Sequence, residues 1–255
     1  MSGLLIAPAA ATRKAVTVAL VAITGLSWAY LVFLSMRMSD MESSFAMPMT
    51  AKWSGPDVVL MSTMWSVMMA GMMLPSAAPM ISAYSRTIRS GTPGLRGSTP
   101  AFVVGYLATW SVFAMVATSA QWALHNATLV SATGASTNRW LGALLLLTAG
   151  AYQFTGAKDA CLRQCRSPLG FLLNQWRNGR RGAFLMGLRH GATCVGCCWA
   201  LMTMLFVLGV MNLWWVALLA AVVLLEKFIP SVRLTRVVGG LLLLWGSALM
   251  AGVVG

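Results

Sequence analysis

Long apolar stretches alternate with short polar ones along this chain. Seven stretches read as membrane-spanning helices: Ala15–Leu34, Asp57–Met80, Ala101–Trp122, Trp140–Gly156, Ala183–Gly209, Leu213–Phe228 and Thr235–Val254. A bilayer crossing needs about 20 mostly apolar residues, because every backbone polar group must be satisfied within the segment. The pattern predicts an all-α fold: one polytopic transmembrane bundle over residues 1–255, with no soluble domain attached. Pro75 and Pro79 interrupt the end of the second stretch and can free backbone carbonyls to line a cavity. The connection Ser90–Thr99 is rich in Gly, Ser, Thr and Pro and reads as a plain loop. The longer connection Lys158–Gly182 holds a segment, Leu169–Trp176, that fits an interfacial helix. Arg13 and Lys14 before the first stretch resemble the start of a leader peptide. The apolar run of 20 residues has no small-residue cleavage site after it, so a retained span is expected.

Composition agrees with this class. Of 255 residues, 58% are hydrophobic and 9% charged, against about 25% charged in soluble domains. A net charge of +13 raises nucleic acid as a partner. The basic residues sit in short loops between apolar runs, without a basic helix or stacking platform, and that excludes it. Their distribution instead orients the chain. Arg13, Lys14, Arg86, Arg89, Arg96, Lys158, Arg163, Arg166, Arg177, Arg180, Arg181, Lys227, Arg233 and Arg236 fall on one side, and Arg37, Lys52 and Arg139 on the other. The positive-inside rule makes the richer side cytoplasmic, with the N-terminus inside and the C-terminus outside. Trp53, Trp122, Trp140, Trp214 and Trp215 all fall near the outer boundary, as an aromatic belt requires. The expected location is a bacterial inner membrane, with the lipid bilayer as the first partner and a membrane protein or a second copy as further ones.

Sulfur supplies the candidate chemistry: 19 methionines and 5 cysteines. Met36, Met38, Met41, Met47 and Met49 lie in the expected first outer loop beside Asp40 and Glu42. A thioether is a soft ligand suited to Cu(I) and needs no deprotonation. In the second span, Met61, Met64, Met68 and Met72 fall within about an 80° arc at 100° per residue. Methionine also fills irregular gaps between helices, which is the plainer reading of this stripe. All five cysteines lie on the cytoplasmic half. Cys161 and Cys165 share a face if their loop is helical. His190, Cys194 and Cys197 fall within about 60° of one another around the fifth span, and Cys198 extends the group. Thiolates with an imidazole make a soft-metal site, Cu(I) first and Zn(II) as the alternative. Arg189 and Glu226 lie within apolar stretches and are expected to pair, although Glu226 and Lys227 also fit a simple interface marker.

The run Gly187-Leu188-Arg189-His190-Gly191 through Cys194, Gly196, Cys197, Cys198 and Trp199 resembles an uncharacterised bacterial family of predicted metal-binding integral membrane proteins. So do Met72-Met73-Leu74-Pro75-Ser76 and the segment Cys161 to Pro168 with Gly170. The resemblance implies membrane location and metal binding, and no activity.

These readings converge on a membrane protein that binds Cu(I) for passive transfer: outer methionines collect the ion, Met64, Met68 and Met72 relay it, and His190, Cys194, Cys197, Cys198, Cys161 and Cys165 receive it. A metal-dependent membrane enzyme, a metalloenzyme assembly factor, and a structural subunit of a membrane complex are the alternatives. A thiol–disulfide role is disfavoured because the thiols lie on the reducing side. No HExxH, Walker loop or nucleophile elbow is present.

Overall fold

A computed structural model describes residues 8–39, 53–87, 97–131 and 134–253. These form helices α1 (Pro8–Ser39), α2 (Gly55–Thr87), α3 (Ser98–Asn126), α4 (Arg139–Tyr152), α5 (Gly156–Arg166), α6 (Pro168–Gln175), α7 (Gly179–Met202), α8 (Leu205–Leu208), α9 (Leu213–Phe228) and α10 (Val232–Met250). Among the described residues there is no strand, only an isolated bridge between Val130 and Ser136.

Local chemistry sets several helix starts. Ser54 precedes α2, and both its backbone N–H and its hydroxyl donate to Asp57 Oδ2, at 2.7 and 2.6 Å. This satisfies an otherwise orphaned donor and puts an acid in the first turn. The Asn138 side chain accepts from Trp140 N and Leu141 N to open α4. Thr155 does the same for Lys158 N at α5, and Ser231 for Arg233 N at α10.

Five segments are long and apolar enough to cross a membrane: Lys14–Arg37, Gly55–Thr87, Ser98–Asn126, Gly179–Leu208 and Val232–Met250. Each of the seven stretches read from the sequence holds a helix, the fourth ending at Tyr152 and the fifth broken after Met202 into α7 and α8. Two of them, α4 with 14 residues and α9 with 16, fall short of that length. The long connection holds two helices, α5 and α6, the second of them nearly coincident with the expected Leu169–Trp176.

Helix α2 is the hub and packs against α1, α3, α6 and α9. Met61, Met64, Met68, Met69, Met72, Met73 and Met80 are all buried. The burial therefore reaches beyond one stripe, as expected of a helix surrounded by others.

Small residues decide the tightest pair, α3 against α7. A Cβ at Gly105 would collide with Phe184 O, and one at Gly187 with Phe102 O. Both obstacles are backbone and cannot swing aside. One turn on, Thr109 Oγ1 donates to Leu188 O at 3.1 Å, and a Cβ at Gly191 would stand 2.6 Å from that hydroxyl. Gly187 and Gly191 thus form a small-xxx-small face, the device that lets apolar helices approach closely without a hydrophobic driving force. α4 and α10 use the same device. A Cβ at Gly150 would lie 2.8 Å from Leu243 Cγ, and one at Gly239 2.7 Å from Gln153 Cβ.

Two expectations change. Met36 and Met38 do not lie in a loop; α1 continues through Ser39 and carries both in its last turn, with Met36 62% exposed. Met41, Met47 and Met49 lie outside the described residues. The second change concerns Glu226. Its partner is Lys158, at 2.7 Å with both side chains buried, instead of Arg189. Arg189 is exposed. It follows Leu188 and precedes His190 on α7, and one residue is about 100° of helix, so burial of His190 turns Arg189 outward.

Candidate metal centre

α7 brings His190, Cys194, Cys197 and Cys198 to its buried face. Burial at 190, 194, 197 and 198 follows the helical period expected from the sequence. α5 lies against this face with Cys161 and Cys165, so the two cysteine groups do meet. Cys165 Sγ is 3.9 Å from Cys197 Sγ. Cys161 Sγ packs on Gly196, where a Cβ would stand 2.9 Å away. All five cysteines are free thiols.

The hydrogen bonds separate the sulfurs into kinds. Cys197 and Cys198 donate to the Cys194 carbonyl at 3.1 and 3.0 Å, the usual resting place of a small polar side chain in a helix. Cys194 Sγ does not rest on backbone. It faces Lys227 Nζ at 2.9 Å and the Tyr106 hydroxyl at 3.1 Å. Tyr106 OH also donates to Met73 O at 3.1 Å, and Lys227 Nζ donates to Ser76 Oγ at 2.7 Å. Cys194 therefore stands where α2, α3, α7 and α9 converge.

The sulfurs of Cys194 and Cys197 beside Cys165, together with burial, hold its thiol well above the usual range, in the protonated form. Burial and then Cys197 raise Cys161 in the same direction. His190 is wrapped by the rings of Phe102, Tyr106 and Phe171, with centroids 6.1, 5.7 and 5.4 Å away. Its Nδ1 is buried without a hydrogen-bond partner. An orphaned imidazole nitrogen beside thiols is a group that a soft cation would satisfy.

Among the described residues, no three or more His, Cys, Asp or Glu side chains are arranged to hold a metal ion. The centre is a set of adjacent sulfurs, not a closed cage. Thiol sulfurs are soft donors, and a structural zinc site asks for four tetrahedral ligands.

A family model described as PpoB2, copper chaperone, matches residues 62–249. The chain belongs to this family. Among curated proteins and solved structures, none matches it. The PpoB2 match spans all five cysteines, His190, Met64, Met68 and Met72, together with Lys227, Tyr106 and Ser76. The expected outer group, Met36 to Met49, lies outside it, as does Met61.

Sequence reasoning singled out the thiols and passed over their polar neighbours. Lys158 and Lys227 counted only as topology markers. Ser76 stood in the Met72–Ser76 motif without a role, and Tyr106 carried no signal. One clue was available: a lysine next to a glutamate at the end of an apolar run faces a different direction from that glutamate, about 100° around the helix.

Proposed function

We propose that this chain is an integral membrane copper chaperone that receives Cu(I) on the thiols of α7 and α5 and hands it on from the cytoplasmic side. Its membership of a copper chaperone family supports copper as cargo. The observation that carries the reading to particular residues is the approach of Cys165 to Cys197 at 3.9 Å, beside Cys194, in the buried interior. Thiolates are the soft donors that select Cu(I).

Membrane insertion is supported by the five long apolar segments and by large apolar side chains exposed along them, among them Val21, Leu26, Val59, Val112, Val116 and Leu244. α4 and α9 complete a seven-span bundle as short crossings, with the N-terminus inside, the C-terminus outside and the basic loops in the cytoplasm. A bacterial inner membrane is the setting. α1 and α10, whose apolar windows are each only 17% buried, offer faces to lipid, to a membrane protein acceptor or to a second copy. The methionines of α2 form the approach path: Met64, Met68 and Met72 line the hub helix one turn after another and end at Ser76 beside Cys194. Met36, Met38, Met41, Met47 and Met49 serve as outer collectors. Handover from weak thioethers to stronger thiolates gives direction by affinity, without ATP.

The test is metal content of the detergent-purified protein under reducing conditions, beside a Cys194→Ser/Cys197→Ser/Cys198→Ser variant. Stoichiometric copper in the parent and none in the variant supports the reading. Zinc in the parent, or equal copper in both proteins, overturns it.

A further inference from the structure

Lys227 has an unusual position for a charged side chain. Its Nζ reaches into the bundle and donates to Ser76 Oγ at 2.7 Å and to Cys194 Sγ at 2.9 Å. The neighbouring carboxylate does not neutralise it, because Glu226 is committed to Lys158 at 2.7 Å. A third cation of this region, Arg166, is spent on backbone. Its guanidinium donates to Glu226 O and, at 2.9 Å, to Ile229 O. A charge in an apolar interior is costly unless it is balanced and hydrogen-bonded. The group that faces Lys227 is a sulfur.

We infer that Lys227 is the counter-ion of the metal-loaded centre and selects a monovalent over a divalent ion. The inference rests on the thiol-transfer reading above and deepens it. Before loading, the Lys227 ammonium donates to the Cys194 sulfur and has no carboxylate of its own among the contacts described above. Cu(I) then bonds to the Cys194 sulfur and to the Cys197 sulfur, and the protons of both thiols leave to solvent. No electron moves. One positive ion between two thiolates carries a net charge of minus one, and the ammonium beside it restores neutrality. A divalent ion between the same two sulfurs is neutral by itself, so with Lys227 it leaves an uncompensated positive charge in a low-dielectric interior. The same residue thus stabilises loading by Cu(I) and opposes loading by Zn(II). The third sulfur, Cys165, adds a ligand in exchange for its own proton when the ion moves on, which makes it a transfer position.

The test compares the parent with Lys227→Met, Lys227→Gln and Lys227→Arg in detergent, measuring Cu(I) binding by competition with a chromogenic Cu(I) chelator and Zn(II) binding by competition with a zinc dye. Thermal unfolding of each metal-free protein checks the fold. The expected result is a loss of Cu(I) affinity of roughly tenfold or more in the Met and Gln variants, with Zn(II) affinity unchanged or increased, and restoration of the parental preference by Arg. A Met or Gln variant that folds and keeps the parental Cu(I)-over-Zn(II) preference overturns the inference and leaves the proposed function standing. A parent that binds no Cu(I) overturns both.

Discussion

Breaking the buried Lys158–Glu226 pair gives the sharpest stability prediction. Lys158 has 0% and Glu226 2% side-chain exposure, and the contact is 2.7 Å. Glu226→Gln removes the carboxylate charge and leaves the Lys158 ammonium buried and unbalanced. Removing one partner of a buried pair costs about 3–5 kcal/mol, because the survivor keeps its full desolvation penalty. For a chain of this size that corresponds to a fall in unfolding midpoint of roughly 6–20 °C. The Lys158→Met variant should lose a similar amount. The double variant Lys158→Met/Glu226→Gln should recover most of the loss, since replacing a buried pair by less polar groups of similar volume is often nearly neutral. The assay is unfolding in one detergent, followed by tryptophan fluorescence and arranged as a double-mutant cycle. Arg189→Gln is the control: the side chain is exposed, so its change stays within about 0.5 kcal/mol. Additive losses in the double variant refute the pairing. A large loss on Arg189→Gln restores the pairing expected from the sequence.

Further outcomes follow from the same geometry. Gly187→Ala places a methyl group against Phe102 O and should destabilise by at least about 1–3 kcal/mol; Gly25→Ala, where a Cβ meets open space, should be nearly silent in the same melt. Gln121→Leu removes the acceptor of the buried Trp65 Nε1 bond at 2.7 Å and should cost about 1–3 kcal/mol, with a change in tryptophan emission. In the folded protein a maleimide should label the partly exposed Cys161 before the buried Cys194, Cys197 and Cys198, as peptide mapping after brief exposure would show. Equal labelling would refute the burial order.

Periodicity made most of the fold legible, because bilayer length and the helical repeat both leave marks in one dimension. Every apolar stretch holds a helix, the fifth of them two, and the cysteine face of α7 was visible from spacing. Cys161 and Cys165 were readable as sharing a helical face and unreadable as contacts of Gly196 and Cys197, since that depends on how α5 folds back on α7. The Arg189–Glu226 expectation failed for a similar reason. Both residues fall at one depth in the sequence map, but depth is one coordinate, and the angle around each helix decides which charge faces inward. α1 running through Ser39 shows the other gap: Arg37 is charged, yet the helix continues past it, and propensity differences of less than about 1 kcal/mol per residue do not fix a boundary.

The position of Lys227 follows from the length of α9. At 1.5 Å per residue, its 16 residues span about 24 Å, against roughly 30 Å of bilayer hydrocarbon. In the membrane placement proposed above, a helix of full length would carry its terminal lysine to the headgroups, where the long side chain would extend into water. Pro230 cannot continue α9 in the regular pattern, and Ser231 at once caps the start of α10. The chain therefore turns early, and Glu226 and Lys227 stay at the level of the thiols. Arg166 closes the same turn by donating to Glu226 O and Ile229 O, carbonyls that the end of α9 leaves without helical partners. This clamp also ties α5, and with it Cys161 and Cys165, to α9. One short helix thus sets the height of the lysine and the seat of the two α5 thiols together. Lengthening α9 by a full turn ahead of Pro230 should withdraw Lys227 from Cys194 and disturb copper binding even with every cysteine intact. Unchanged copper binding in such an insertion variant would show that helix length has no part in the site.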